Sequence, residues 1–209
     1  MKKSICFLVV LVVLFVSTGL VAHAVSFEGD ASYLFGIGSS KSRGFTAHAM
    51  VEVMDHIFVD GSFLSTNATK TAGDDETEIS TRNNLFNVGG LYRPVNDADL
   101  QVFVGGGFAS LTTKVTESED VTSRGIYGKF GFKFLPMPQL SILSDVSYAP
   151  KFKQKDTETS TGHLITARFT ASYEVMDGVD VQGTIKHFRT SGTGGTSDTL
   201  VGGGVTFRF

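Results

Sequence analysis

The sequence predicts an all-β protein: an antiparallel up-and-down transmembrane β-barrel, with ten strands favoured and eight as the alternative. Three observations predict it. Apolar and polar residues alternate with period two along nearly all of Val25–Phe209, while helical spacing is hard to find. The links between alternating segments are tight and long by turns. No stretch after Ala24 has enough consecutive apolar residues for a transmembrane helix, so membrane entry requires a closed barrel, which satisfies its own backbone hydrogen bonds.

The first strand is FEGDASYLF, with Phe27, Gly29, Ala31, Tyr33 and Phe35 on one face and Glu28, Asp30 and Ser32 on the other. In FTAHAMVEV, Phe45, Ala47, Ala49, Val51 and Val53 oppose Thr46, His48, Met50 and Glu52. IFVDGSF sets Ile57, Val59, Gly61 and Phe63 against Asp60 and Ser62. Asn83–Tyr92 is the fourth strand and the least regular, with both faces mixed. LQVFVGGGFAS aligns Leu100, Val102, Val104, Gly106 and Phe108. GIYGKFGFKF places Ile126, Phe130, Phe132 and Phe134 opposite Tyr127, Lys129 and Lys133.

LSILSDVSY separates Leu140, Ile142, Val146 and Tyr148 from Ser141, Asp145 and Ser147. In LITARFTASYEV, Ile165, Ala167, Phe169, Ala171, Tyr173 and Val175 oppose Thr166, Arg168, Thr170, Ser172 and Glu174. VDVQGTIKHF sets Val179, Val181, Gly183 and Ile185 against Asp180, Gln182, Thr184 and Lys186. The tenth, LVGGGVTFRF, sets Val201, Val205, Phe207 and Phe209 against Thr206 and Arg208.

Tight links are expected at Met54–His56, Pro94–Asp99, Pro136–Gln139 and Met176–Gly178, and longer polar loops at Gly38–Arg43, Thr66–Thr81, Thr113–Thr122, Pro150–Gly162 and Thr190–Asp198. Short turns at one end and long loops at the other mark a membrane barrel. A soluble sandwich also alternates. Against it stand the loop asymmetry, mid-strand charges, and aromatics toward the strand ends (Tyr33, Phe45, Phe63, Tyr92, Phe134, Tyr148, Tyr173, Phe207), where interfacial girdles sit.

The N-terminus reads as a secretory signal peptide, residues 1–24: Lys2 and Lys3, an apolar run from Ile5 to Val16 interrupted only by Cys6, then Ala22-His23-Ala24 as the cleavage site. Residues 25–209 then form one barrel domain. The sole cysteine leaves with the leader, so no disulfide, thiol nucleophile or cysteine metal site is expected. The chain carries 18 Lys+Arg against 21 Asp+Glu, and losing Lys2 and Lys3 makes it more acidic, which argues against nucleic acid as a partner.

The leader, the amphipathic hairpins and a last strand ending in Phe209, with Phe207 and Val205 at two-residue spacing, together resemble the bacterial outer-membrane β-barrel proteins. The likeness covers the architecture, with small porin-like, Opa-, OmpX- and OmpW-like barrels as the class. It implies location in the bacterial outer membrane, monomeric contact with outer-membrane lipid and lipopolysaccharide, and recognition of Val205, Phe207 and Phe209 by the barrel-assembly machinery. A further implication is an extracellular ligand met through the loops.

No constellation carries chemistry on its face, and no catalytic residue, metal site or cofactor is expected. Gly36–Ser42 lacks the G-K-[ST] ending of a phosphate loop and precedes a strand. An omptin-like protease would need acids and a histidine at the rim; Asp74, Asp75, His163, His187 and Asp198 are present without that family's strand motifs. A Ser-His lipase motif is absent from every strand. Asn96–Asp99 reads as a turn rather than a calcium loop. The glycine clusters at 89–90, 105–107 and 202–204 read as relief for curvature.

What remains is a set of inward charges: Glu28, Asp30, His48, Glu52, Asp60, Lys129, Lys133, Asp145, Arg168, Glu174, Asp180, Lys186 and Arg208. They form a salt-bridged plug or line a narrow polar pore, and small barrels are usually filled by side chains. The expected function is a structural or surface-interaction role through the loops, with a narrow channel for ions or small solutes as the alternative and a hydrolase as the third reading.

Overall fold

The computed structural model describes residues 26–37, 41–72, 77–116, 120–154, 161–191 and 195–209. The leader with Ala22 and Ala24, and the acids Asp74 and Asp75, lie outside the described residues. The strands are β1 (Phe27–Gly36), β2 (Lys41–Met54), β3 (Ile57–Ala72), β4 (Thr77–Asn96) and β5 (Leu100–Val115), then β6 (Val121–Met137), β7 (Leu140–Gln154), β8 (Thr161–Met176), β9 (Val179–Thr190) and β10 (Ser197–Arg208). Each pairs antiparallel with its sequence neighbours, and β1 pairs with β10 to close the barrel. Ten strands replace the eight-stranded alternative.

The seam is tight: Phe27 and Phe209 exchange both backbone hydrogen bonds at 2.9 Å, and their rings lie 6.1 Å apart. No sheet edge is left open to lipid, which the absence of water in a bilayer demands.

The long loops expected from the sequence are a correction. The ladder runs on into two of them, as far as Ala72 opposite Thr77 and Lys153 opposite Thr161, whereas Thr113 opposite Val121 and Arg189 opposite Ser197 keep two others near their expected bounds. The two it enters are polar but rich in threonine, whose branched Cβ favours extended backbone, so polarity there marks strands rising past the apolar belt. β4, the least regular segment in sequence, is the longest strand at 20 residues.

Three of the four prolines sit at register shifts: Pro94 in β4, Pro136 in β6 and Pro150 in β7. A proline cannot donate to the ladder, and a bulge is where a strand tolerates that loss. Glycine serves curvature in β5 and β10, which lie opposite each other in the ring. A Cβ on Gly105 or Gly107 would overlap a carbonyl of β4, and one on Gly202 or Gly204 would overlap a carbonyl of β1.

Two turns repeat one device. Glu52-Val53-Met54-Asp55-His56 and Glu174-Val175-Met176-Asp177-Gly178 differ only at the last residue, and both last residues take positive φ, 65° and 72°. In each, the glutamate Oε1 accepts the backbone N–H of that last residue, at 3.1 Å from His56 and 3.3 Å from Gly178. In each, an arginine two strands onward holds the same carboxylate: Arg93 on Glu52 at 3.3 Å and Arg208 on Glu174 at 3.5 Å.

Outside, the wall is apolar, with Phe86, Phe108, Phe130, Phe132 and Phe169 exposed along the mid-strand region. The aromatics are therefore spread over the wall, a second correction. Four of the five tyrosines lie toward the ends and are exposed, Tyr33 and Tyr148 toward the loops and Tyr92 and Tyr173 toward the turns, while Tyr127 is buried in the interior. A ring with a polar tip fits the water–lipid boundary better than phenylalanine does.

Candidate functional site: the barrel interior

Six of the thirteen predicted charges, at inward positions in the middle of the barrel, are joined into one network. His48 on β2 lies between two carboxylates, with Nε2 2.6 Å from Asp60 and Nδ1 3.1 Å from Asp30. Lys129 on β6 crosses the lumen and donates to both Asp60 oxygens at 3.0 Å. Arg168 on β8 donates through Nε to Asp145 at 2.7 Å, its direct cross-strand partner, and through Nη1 to Asp30 at 3.3 Å. Lys133 reaches Glu28 at 2.6 Å.

Each carboxylate of these groups faces a lysine, an arginine or the His48 imidazole, and charge-assisted hydrogen bonds offset the cost of leaving water. Lys186 is buried beside the network and donates to Thr46 at 3.0 Å. Gln182 donates to Ser32 at 2.8 Å and accepts from Thr206 at 2.7 Å. The spaces left between these side chains are water-sized.

The other predicted charges stand apart, at the turn end. Arg208 donates to Asp180 at 2.7 Å and pairs with Glu174, while Glu52 takes Arg93 and the Ser26 hydroxyl, at 3.0 Å. Arg93, which the sequence reading left outside the fourth strand, also covers the Phe58 ring at 4.6 Å from its centroid.

Not every inward position is polar. Toward the loops, inward positions hold an apolar layer of Leu34, Leu64, Leu85, Leu111, Phe152, Leu164, Phe188 and Leu200, all buried. Below the network, Phe58, Leu91 and Phe103 pack together with Met50 against them. The ionic network thus has an apolar layer on its loop side and a smaller apolar cluster, on β2–β5, on its turn side. The signal for the upper layer was an apolar pair on both faces, in Leu34-Phe35, Phe63-Leu64, Leu85-Phe86, Leu164-Ile165 and Leu200-Val201, where strict alternation lapses.

At the loop end a serine and a histidine do meet, across β8 and the end of β9. His163 Nδ1 lies 2.7 Å from Ser191 Oγ, which also accepts the His163 backbone N–H at 3.0 Å. His187 Nδ1 is 2.9 Å from Thr199 Oγ1. Among the described residues no third group hydrogen-bonds to either imidazole, and no group of three His, Cys, Asp or Glu side chains is arranged to hold a metal ion. Val205, Phe207 and Phe209 point outward.

No protein-family model matches the chain, and no curated protein sequence matches it. Among solved structures the chain is similar to the outer-membrane protease OmpT of Escherichia coli, at 10% identity and a TM-score of 0.49, over 88% of this chain and 96% of that one. It is also similar to neisserial surface protein A, at 11% identity and 0.46, over 90% and 98%. A third is Ail, the attachment invasion locus protein of Yersinia pestis, in complex with the heparin analogue sucrose octasulfate, at 16% identity and 0.43, over 88% and 96%. The architecture of the chain, a closed antiparallel ring of ten strands with an apolar exterior, is that of a small outer-membrane β-barrel.

Proposed function

We propose that the chain is an integral outer-membrane protein whose interior is a structural core and whose loop end and lipid-facing wall carry its interactions. The observation that supports this most is the filled lumen: a leucine- and phenylalanine-lined layer above the ionic network and an apolar cluster below it. A conducting pore needs a continuous polar path, and a dewetted apolar constriction blocks ions. The charges then act as cross-braces, tying strands that are not neighbours in the ring.

A binding role at the loop end, rather than hydrolysis, follows from how Ser191 is used. Its hydroxyl accepts the His163 backbone N–H and closes the β8–β9 ladder, where the Ser191 N–H in turn donates to the His163 carbonyl at 2.9 Å. In this reading the loops face the exterior, the chain is a monomer, and Val205, Phe207 and Phe209 serve the assembly machinery.

The test is an epitope inserted within residues 155–160 of the full chain. The reading expects the protein in the outer-membrane fraction, migrating differently on SDS gels before and after boiling, with the epitope labelled on intact cells. Soluble protein, or labelling only after permeabilisation, contradicts it.

A further inference from the structure

At the foot of the upper apolar layer, beside the ionic network, lies a cavity of about 20 Å³. That is room for one occupant of about the size of a water molecule. Tyr127 and Asn87 both line it and are both buried, yet the Tyr127 hydroxyl and the Asn87 Oδ1 have no hydrogen-bond partner in the chain. Buried polar atoms left so are costly, and two around one cavity mark it as a place for a ligand. The Tyr127 ring reaches from β6 to β4 to be there: a Cβ on Gly89 would lie 2.7 Å from its hydroxyl oxygen.

The lining is cationic. His48, Lys129, Arg168 and Lys186 stand against the carboxylates of Asp60 and Asp145. Both ring nitrogens of His48 face carboxylate oxygens, at 2.6 and 3.1 Å, and each contact needs a proton. His48 and its two aspartates therefore hold one proton more than a neutral imidazole between two carboxylates would, whichever atom carries it. With Glu28, Asp30 and Lys133 included, the network and Lys186 carry five positive charges against four carboxylates.

Lys186 is the cation in excess. It stands directly opposite Arg168 on the sheet, where like charges destabilise each other. Thr46 takes one of its three N–H donors. Its own strand and both neighbours fall within residues 161–191 and 195–209, all described, and no carboxylate there pairs with it. The second cavity, on the turn side, is lined by Met50, Leu91, Phe103 and Leu143 and adds the Glu28 carboxylate, so an anion belongs in the first.

We infer that this cavity binds one small monovalent anion, a halide such as chloride, held by the Lys186 ammonium and the Tyr127 hydroxyl. A halide accepts hydrogen bonds, donates none, and supplies the single negative charge that the network lacks. The space is too small for phosphate, sulfate or a carboxylate. The Asn87 amide can turn its Nδ2 to the anion, because the Ser62 hydroxyl, now 3.2 Å from that nitrogen, donates to an amide oxygen as readily as it accepts from an amide N–H. The inference rests on the closed interior proposed above and adds a ligand to it.

The experiment uses the full chain folded in zwitterionic detergent, in sodium chloride or in sodium gluconate at the same ionic strength, gluconate being too large for the cavity. Urea titration read by gel migration is expected to show a saturable stabilisation by chloride. At ten times its dissociation constant chloride raises the apparent folding constant about tenfold over gluconate. Lys186→Met and Tyr127→Phe each reduce that ratio to below about twofold. Arg43→Gln, an exposed cation on β2, leaves it unchanged. Crystals grown in sodium bromide are expected to show an anomalous peak within hydrogen-bonding reach of Lys186 Nζ, a readout that needs no variant to fold.

Equal stability in the two salts, or a chloride effect undiminished in both variants, overturns the inference. So does a bromide crystal with no peak in the cavity, which is the result that a water molecule there would give. A silent, heat-modifiable barrel without halide dependence leaves the closed interior standing and removes only the site. Discrete conductance steps in a planar bilayer fail the closed interior itself, and the site with it.

Discussion

Lys129 of β6 reaches across the lumen to both carboxylate oxygens of Asp60 on β3, at 3.0 Å each, joining strands that are not neighbours in the ring. Asp60 also holds His48 at 2.6 Å, so this one carboxylate is where the network's cross-lumen and in-wall contacts meet.

Asp60→Ala is therefore expected to be the most damaging single change in the interior, at about 3–5 kcal/mol, because it leaves two buried partners without their anion. Lys129→Met costs less, and the double variant costs less than the sum of the two, with a coupling of about 0.5–3 kcal/mol. Urea titration of the folded form in detergent or lipid, read by gel migration, measures all three. Strict additivity would show that the contact carries no energy.

The glycines separate into those that the curvature requires and those that it does not. A Cβ on Gly204 would overlap the Ala31 carbonyl, whereas one on Gly61 meets nothing within 4 Å. Gly204→Ala is expected to destabilise by about 1–3 kcal/mol through overpacking, and Gly61→Ala to be neutral or slightly stabilising. The same titration decides between them, and equal effects would contradict the close-approach argument.

The twin turns give a paired prediction. Gly178 takes φ 72° with the Arg208 carbonyl 2.6 Å from where its Cβ would be, while His56 holds a similar φ of 65° with a side chain. Gly178→Ala is expected to cost at least about 1–2 kcal/mol, and His56→Gly to cost nothing, since glycine relieves the left-handed strain. A destabilised His56→Gly would mean that the imidazole makes a contribution beyond the turn.

At the seam, Phe209 joins β1 through its backbone while its side chain is 81% exposed. Phe209→Asp keeps the two backbone bonds but puts a charge on the lipid-facing end of the last strand. The yield of inserted protein in cells is expected to fall severalfold, with little change in the stability of the fraction that does insert. Normal insertion would remove the assembly role.

Much of this fold was legible from alternation alone, because a barrel that faces lipid on one side and side chains on the other writes both faces into each strand. The strand order, the tight turns and the inward direction of Asp60, Lys129, Asp145 and Arg168 follow from parity. The partners do not, since parity gives a face and not a height: nothing in the sequence says that Lys133 meets Glu28, on a strand far away in the chain. The upper apolar layer was missed because Leu34 and Leu64 look like lipid-facing residues out of step, and only closure of the ring shows that they meet. The Pro150 bulge was hidden for a related reason, as one extra residue shifts every face beyond it. The threonine-rich segments looked like loops because polarity usually marks loops, yet a strand leaving the apolar belt is polar as well.

The central claim, that the interior is a closed core, is tested most directly by single-channel recording of the refolded full chain in a planar bilayer. Insertion is confirmed in the same preparation by migration before and after boiling. The account predicts a silent membrane with inserted protein present, in the wild type and in Lys129→Met alike. Steady, discrete conductance steps whose size changes with Lys129→Met would contradict it and make the ionic layer the lining of a pore.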